Sequence, residues 1–348
     1  MLDPTVGISP AGAGAHPAEP YAYFDGMLAT GLEEVADDPS VLDRPGWWAV
    51  VGTFEGRWTC ARFADLRPAP APTGPWTGPD PRSWTSSLDR EAYTAAVTAV
   101  REYIAQGEVY QANLCRILSA PLSQTDEPAG LAARLAAGNP AAYAGVIDLP
   151  RHGVRVVTAS PELYLSRHGP TVTSGPIKGT GRTEADLLPK DTAENVMIVD
   201  LVRNDLSRVA SVGSVTVPEL CVPEKYPGSV HLVSTVQAQL EPGTGWPHLL
   251  DATFPPGSVS GAPKLRALDV IRELETAERG PYCGAIGWVD AHRGEARLAV
   301  GIRTFWIDGP RLRFGTGAGI TWGSDPEREW RETLLKADRL IRLAGRPA

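Results

Sequence analysis

The chain has 348 residues and a formal net charge of −8, with 43 % of residues hydrophobic and 21 % charged. That length and apolar content suit one large domain or two ordinary ones with a real core. The acidic balance, with no long basic run and no aromatic-basic stripe, argues against a nucleic-acid partner. No apolar stretch reaches the roughly 18 residues of a membrane span, so no membrane partner is expected.

Residues 1–20 are rich in Ala, Gly and Pro and read as a disordered tail. They lack the basic start and apolar run of a secretory signal. Cys60, Cys115, Cys221 and Cys283 are scattered, with no C-x-x-C pair. A cytoplasmic protein with reduced thiols is the expectation. Residues 21–65 mix short apolar runs, such as Trp47-Trp48-Ala49-Val50-Val51, with Gly and charged breaks, which predicts strands and a hairpin. Residues 67–82 carry Pro68, Pro70, Pro72, Pro75, Pro79 and Pro81, so they read as an extended linker. Residues 21–84 are thus a small N-terminal extension ending in a Pro-rich linker.

A helix pattern starts near Leu88, with Tyr93, Val97, Val100 and Ile104 on one face and Gly107 as its stop. Strand-like runs follow at 153–159, 230–239, 285–289, 297–307 and 312–315, alternating with helical runs at 194–206, 263–274 and 326–343. The expectation is one α/β catalytic domain over residues 85–345.

In the last helix Asp325 can cap and Pro326 fits the first turn. Glu329, Glu332 and Lys336 share one face at i, i+3, i+7. Asp191 and Glu194 repeat the carboxylate pair on an earlier helix. A solvated charged face explains either pair taken alone, but two pairs on two helices could also clamp a hard cation such as magnesium. The segment 257–264 and the run Gly315-Thr316-Gly317-Ala318-Gly319 read as glycine-rich turns. The first leads into a helix, where exposed N–H groups favour an anion. Arg303 stands in an apolar strand, which implies a carboxylate partner from substrate or protein. Lys178 follows Ile177 between Pro176 and Gly179; it is either a surface turn lysine or a desolvated amine able to act as a nucleophile. His231 begins an apolar strand, as a core or a site histidine.

These residues lie in longer motifs: Gly107-Glu108-Val109-Tyr110-Gln111-Ala112-Asn113-Leu114, Ser160-Pro161-Glu162-Leu163, Pro176-Ile177-Lys178-Gly179-Thr180, Ala193-Glu194-Asn195-Val196-Met197, His231-Leu232-Val233-Ser234-Thr235, Gly280-Pro281-Tyr282-Cys283-Gly284 and Glu332-Thr333. In type and order they resemble the chorismate-utilising enzymes, over about residues 88–343. That family includes anthranilate, aminodeoxychorismate, isochorismate and salicylate synthases. The resemblance implies an α/β (α+β) fold, a single large domain whose antiparallel sheets form a central β-sandwich flanked by helices. It implies Mg²⁺ held by Glu194 and Glu332, with Asp191 and Glu329 as outer carboxylates acting through water. Arg303, Tyr282 and the N–H groups of Gly317, Ala318 and Gly319 would hold the carboxylates of chorismate. Ser258 and Lys336 would complete the pocket, Glu162 would be the general acid, and His231 would lie near the reacting ring.

Two positions separate the family's members. Isochorismate and salicylate synthases carry a Lys base at the position of Gln111, and a neutral amide cannot take that proton. Anthranilate and isochorismate synthases typically carry Ala at the position of Lys178, where aminodeoxychorismate synthases carry Lys. The implied activity is that of aminodeoxychorismate synthase component I. It is a C–N bond-forming transfer of ammonia to chorismate through a covalent intermediate on Lys178, giving 4-amino-4-deoxychorismate on the way to p-aminobenzoate and folate. A glutamine amidotransferase subunit would supply the ammonia. The alternatives are an anthranilate or 2-amino-2-deoxyisochorismate synthase large subunit, and a non-catalytic chorismate-binding subunit.

Overall fold

The computed structural model describes residues 19–181, 183–226 and 229–346. The tail expected to be disordered lies, up to residue 18, outside them. In chain order the strands and helices are β1 (Tyr21–Phe24), β2 (Met27–Ala36), β3 (Trp47–Gly52), β4 (Trp58–Pro68), β5 (Thr85–Ser86), α1 (Arg90–Ala105), β6 (Gln111–Pro121), α2 (Pro128–Gly138), β7 (Tyr143–Leu149), β8 (Val154–Ser160), β9 (Leu163–His168), β10 (Thr171–Gly175) and β11 (Ile177–Gly181). Then come α3 (Pro189–Ser207), β12 (Thr216–Tyr226), β13 (Ser229–Gln239), α4 (Trp246–Thr253), β14 (Gly261–Ala262), α5 (Lys264–Leu274), β15 (Ala285–Asp290), β16 (Glu295–Val300), β17 (Thr304–Asp308), β18 (Arg311–Ile320) and α6 (Pro326–Ala344).

Every pairing is antiparallel, and the strands join into one ribbon. From β13 it runs through β10, β9, β16, β15, β3, β4 and β2. It continues through β1, β7, β8, β17 and β18 to β6. The N-terminal strands are therefore its middle, joining the two halves. Ile117, Ile147 and Val156 of one half share a core with Val50, Leu165, Val236, Ile286 and Leu298 of the other. The ribbon thus closes on itself as the expected sandwich. Burial of each such side chain contributes about 1.5–3 kcal/mol.

Helices cover the outer faces. Leu131 and Leu135 of α2 and Ala337 and Leu340 of α6 pack on Val157, Phe305 and Phe314. Tyr93 and Val97 of α1 and Val270 of α5 pack on Leu114 and Ile320. Ile198 and Val202 of α3 and Leu249 of α4 join the first core. Asp89 caps α1 by accepting the Ala92 N–H at 2.9 Å, and Asp325 caps α6 by accepting that of Arg328 at 2.9 Å. Among the described residues no helix is long and apolar enough to cross a membrane.

Several local expectations change. The run 297–307 is two strands, because the chain kinks at Gly301-Ile302-Arg303, where Arg303 has φ +51°. The glycine run 315–319 is no turn; it is the second half of β18, lying flat on β6. Its missing Cβ atoms let Tyr282, Cys115 and Gln111 press against Gly315, Gly317 and Gly319 respectively. Lys178 stands in β11, not in a turn, and the pairing with β13 slips just after it, where Gly179 takes φ +75°. The helices α2 and α4 were not anticipated. Both are short, and their apolar residues show no long helical repeat. The Pro-rich linker has no regular structure over residues 69–80, yet it is packed: Trp76 is buried and its Nε1 donates to Ala344 O at 2.8 Å.

Candidate active site

The segment between β8 and β9 carries Glu162. Its backbone is pinned on both sides: the Val300 N–H donates to Glu162 O at 3.0 Å, and the Ser160 hydroxyl donates to Val300 O at 2.6 Å. The carboxyl is buried. Burial drives its pKa above the ordinary carboxylate range, against the pull of the Ser258 hydroxyl, Lys178 and the Ile177 N–H. Lys178 Nζ donates to Ser258 O at 3.1 Å. Burial lowers the lysine's pKa, while Glu162 and Glu194 act in the opposite sense. Three sequence-predicted residues, Glu162, Lys178 and Ser258, thus form one contact group.

Gln111, at the start of β6, is fully buried, and among the described residues neither its amide oxygen nor its nitrogen has a hydrogen-bond partner. The amide lies against Gly319: a Cβ there would stand 2.8 Å from Gln111 Nε2 and 3.8 Å from Lys178 Nζ. A buried amide without a partner costs free energy that a polar ligand could return.

Arg303 has no ion-pair partner among the described residues, although burial, followed by the charge of Arg339, lowers its pKa. His231 on β13 is buried, and burial together with the Arg303 charge takes its pKa from the ordinary 6.5 down to about 4. Arg303 and His231 therefore share one desolvated region, with the arginine cationic and the imidazole neutral at neutral pH.

The carboxylates come from α3 and α6. Glu194 is raised by burial and by the like charges of Asp191 and Glu332, against Lys178 and Lys190. For Glu332 burial also pushes upward, but Lys336, Lys190 and Lys178 outweigh it and hold the carboxyl below its usual range. Lys336 Nζ lies 2.8 Å from the Glu332 carboxylate and 3.0 Å from Gly317 O. Glu329 is buried, and the Ser324 hydroxyl bonds its carboxyl. The Asp191 carboxylate accepts the Leu188 N–H at 2.8 Å, at the start of α3. Among the described residues no three His, Cys, Asp or Glu side chains converge as a preformed metal cluster. Magnesium takes only one or two protein carboxylates and completes its shell with water and substrate oxygens. Glu194 and Glu332, set against one another with only lysine ammonium groups to offset them, are a donor set that fits it.

Some expected residues are placed differently. In an antiparallel strand the N–H and C=O of one residue face the same edge, and the edges alternate. Gly317 O faces Lys336 on α6, so the N–H groups of Gly317 and Gly319 face that edge, while that of Ala318 faces β6. Tyr282 is buried against Gly315, with its hydroxyl on Cys115. Lys264, the first residue of α5, is paired with Asp205 at 2.5 Å.

The pattern of the chorismate binding enzyme family matches residues 55–342. The chain belongs to that family. It is 38 % identical over 274 residues to an anthranilate synthase component 1 of Haloarcula marismortui, covering 75 % of this chain and 55 % of that protein. It is 37 % identical over 271 residues to aminodeoxychorismate synthase component 1 of Escherichia coli, covering 74 % of this chain and 59 % of that protein. The chain thus spans little more than half the length of these relatives. A crystal structure of a Bacillus anthracis protein, described as a 2,3-dihydroxybenzoate-specific isochorismate synthase, superposes with a TM-score of 0.79 at 25 % identity, covering 94 % of this chain and 97 % of that one.

Within this family fold, Asn195 is a site-building residue that its motif did not single out. It is fully buried; its Nδ2 donates to Leu232 O at 3.0 Å and its Oδ1 accepts the Ser234 hydroxyl at 2.5 Å. It ties the α3 turn of Glu194 to the strand of His231. The available signal was a polar amide inside the apolar stripe of a helix.

Proposed function

We propose that the chain is the chorismate-aminating component of an aminodeoxychorismate synthase, forming 4-amino-4-deoxychorismate from chorismate and ammonia. The observation that carries this reading is the convergence of Lys178 and Gln111 on Gly319. A desolvated amine and an uncharged amide occupy one spot, where amination needs a nucleophile and water addition would need a base.

Chorismate's carboxylates would be taken by the Arg303 guanidinium and by the N–H groups of Gly317 and Gly319. Glu194 and Glu332 would hold Mg²⁺, which supplies charge withdrawal at the ring carboxylate when bound. The neutral Lys178 amine attacks C2, the ring π electrons shift, and the C4–O bond breaks. Glu162, whose protonated form burial favours, gives its proton to the departing oxygen, which leaves as water. Ammonia then adds at C4, the C2–N bond to Lys178 breaks, and the proton lost by the incoming nitrogen returns to Glu162. Ser258 O holds the lysine on line between these steps. His231, neutral, fills the ring's surroundings without adding charge. A glutamine amidotransferase subunit would be the ammonia source in a cytoplasmic complex.

The test supplies the purified chain with chorismate, Mg²⁺ and ammonium, followed by a lyase that releases p-aminobenzoate. A para-aminated product, lost in Lys178→Ala, supports the reading. An ortho-aminated product, or none, overturns it. Mass spectrometry with chorismate and no ammonia should show the adduct on the peptide containing Lys178.

A further inference from the structure

Arg116 stands in the middle of β6 and is 3 % exposed. Its guanidinium has no carboxylate partner among the described residues. Nε donates to the Thr333 hydroxyl at 3.0 Å and Nη1 to the Ser86 hydroxyl at 3.0 Å, while Nη2 is buried without a partner. Its carbon lies 4.3 Å from the centre of the Trp330 ring. Burial lowers its pKa to about 10. A buried cation without a counter-charge is costly, and an apolar side chain of similar volume on Trp330 would be at least as stable. Stability alone therefore does not account for it.

The arginine grips a single stretch of α6. Trp330 directly follows Glu329, and Thr333 directly follows Glu332. The fully buried Thr333 also donates to Trp330 O at 2.8 Å, and its carbonyl accepts the Thr316 hydroxyl at 2.9 Å, beside Gly317 on β18. The bond from Arg116 Nε to Thr333, the Thr316 hydroxyl on the Thr333 carbonyl and the guanidinium over the Trp330 ring together fix the rotation of the helix as well as its distance from the sheet. A metal site tolerates only about 0.5 Å of ligand displacement.

We propose that Arg116 is a positioning residue for the carboxylates of α6, locking Glu329 and Glu332 in register with the Gly317–Gly319 edge and thereby setting the affinity of the metal site. The inference rests on the reading of Glu332 as a magnesium ligand. Its test is a Mn²⁺ titration followed by electron paramagnetic resonance, on the full chain without substrate, with a melting curve for each variant. Arg116→Met should weaken Mn²⁺ binding about tenfold or more, the scale on which outer partners of metal ligands act, with an unchanged or higher melting temperature. Thr333→Val should shift affinity the same way, and Arg116→Lys, which keeps a donor toward Thr333, should recover part of it. Unchanged affinity in Arg116→Met, with or without a lower melting temperature, overturns the proposal. Should Arg116→Met not fold, unchanged affinity in Thr333→Val overturns it equally. A parent chain that binds no Mn²⁺ overturns the metal reading itself, whereas a parent that binds beside unaffected variants overturns only the role of Arg116.

Discussion

Gln111 Nε2 and Lys178 Nζ meet over the same missing side chain: a Cβ on Gly319 would lie 2.8 Å from the first and 3.8 Å from the second. They come from β6 and β11, strands distant in sequence, and the bare glycine of β18 leaves the Gln111 amide the room it occupies, with Lys178 Nζ at contact distance from the same point. On the proposed reading, the attacking nitrogen and the amide in place of a base both lie near this one glycine.

Gly319→Ala and Gly317→Ala should separate function from folding. The added methyl at Gly319 meets the movable end of Gln111, so the amide shifts, the KM for chorismate rises severalfold and the melting temperature barely changes. At Gly317 it meets Cys115 Sγ at 2.5 Å and the Leu114 carbonyl at 2.6 Å, which cannot step aside. Overpacking of that kind costs about 1–3 kcal/mol. Thermal melts and steady-state kinetics read the difference; equal melting losses would contradict it.

Glu162→Gln should lower kcat by about 10²–10⁴-fold, the usual worth of a general acid, with little change in KM. Burial moves Glu162 up and Lys178 down, so their pKa values approach one another. In the proposed mechanism turnover needs the protonated carboxyl and the neutral amine, which predicts a bell-shaped pH profile whose two limbs belong to the coupled pair. In Glu162→Gln the bell should become a single limb that rises with pH as Lys178 loses its proton.

His231 predicts an acid-linked loss of stability. Its folded-state pKa, about 4, lies below the ordinary 6.5, so the unfolded chain binds the extra proton between those values. Stability therefore rises with pH across that window and is lost as pH falls from about 6.5 toward about 4. His231→Phe should flatten that part of the curve of denaturant midpoint against pH. An unchanged slope would remove His231 as its source.

Behind the site, Arg279 and Glu275 form an ion pair whose side chains are almost wholly buried. Arg279 also donates to Val259 O at 2.9 Å and Asn113 O at 2.6 Å, while Glu275 accepts the Cys115 N–H at 2.8 Å. Arg279→Met strands the glutamate and should cost about 3–5 kcal/mol. The double variant with Glu275→Leu should recover most of that, measured by chemical denaturation. The loop of Ser258 is the neighbour through which activity would fall as well.

What could be read without the fold is local. The spacing of Tyr93, Val97 and Val100 foretold α1, and Asp325-Pro326 foretold the start of α6, because capping and helical period depend only on near neighbours. Motif order disclosed the family for the same reason. Other properties depend on partners far away in the chain. A glycine run reads alike as a turn or as a strand pressed against another, and only β6 beneath it decides. Lys178 reads as a turn lysine until Ser258, Glu162 and Gln111 close around it. Arg303 reads as part of a continuous strand until Gly301 is pushed against Pro281. The candidate site residues were legible as types, whereas desolvation, which raises the pKa of Glu162 and lowers those of Lys178 and His231, exists only once the ribbon of strands has folded over them.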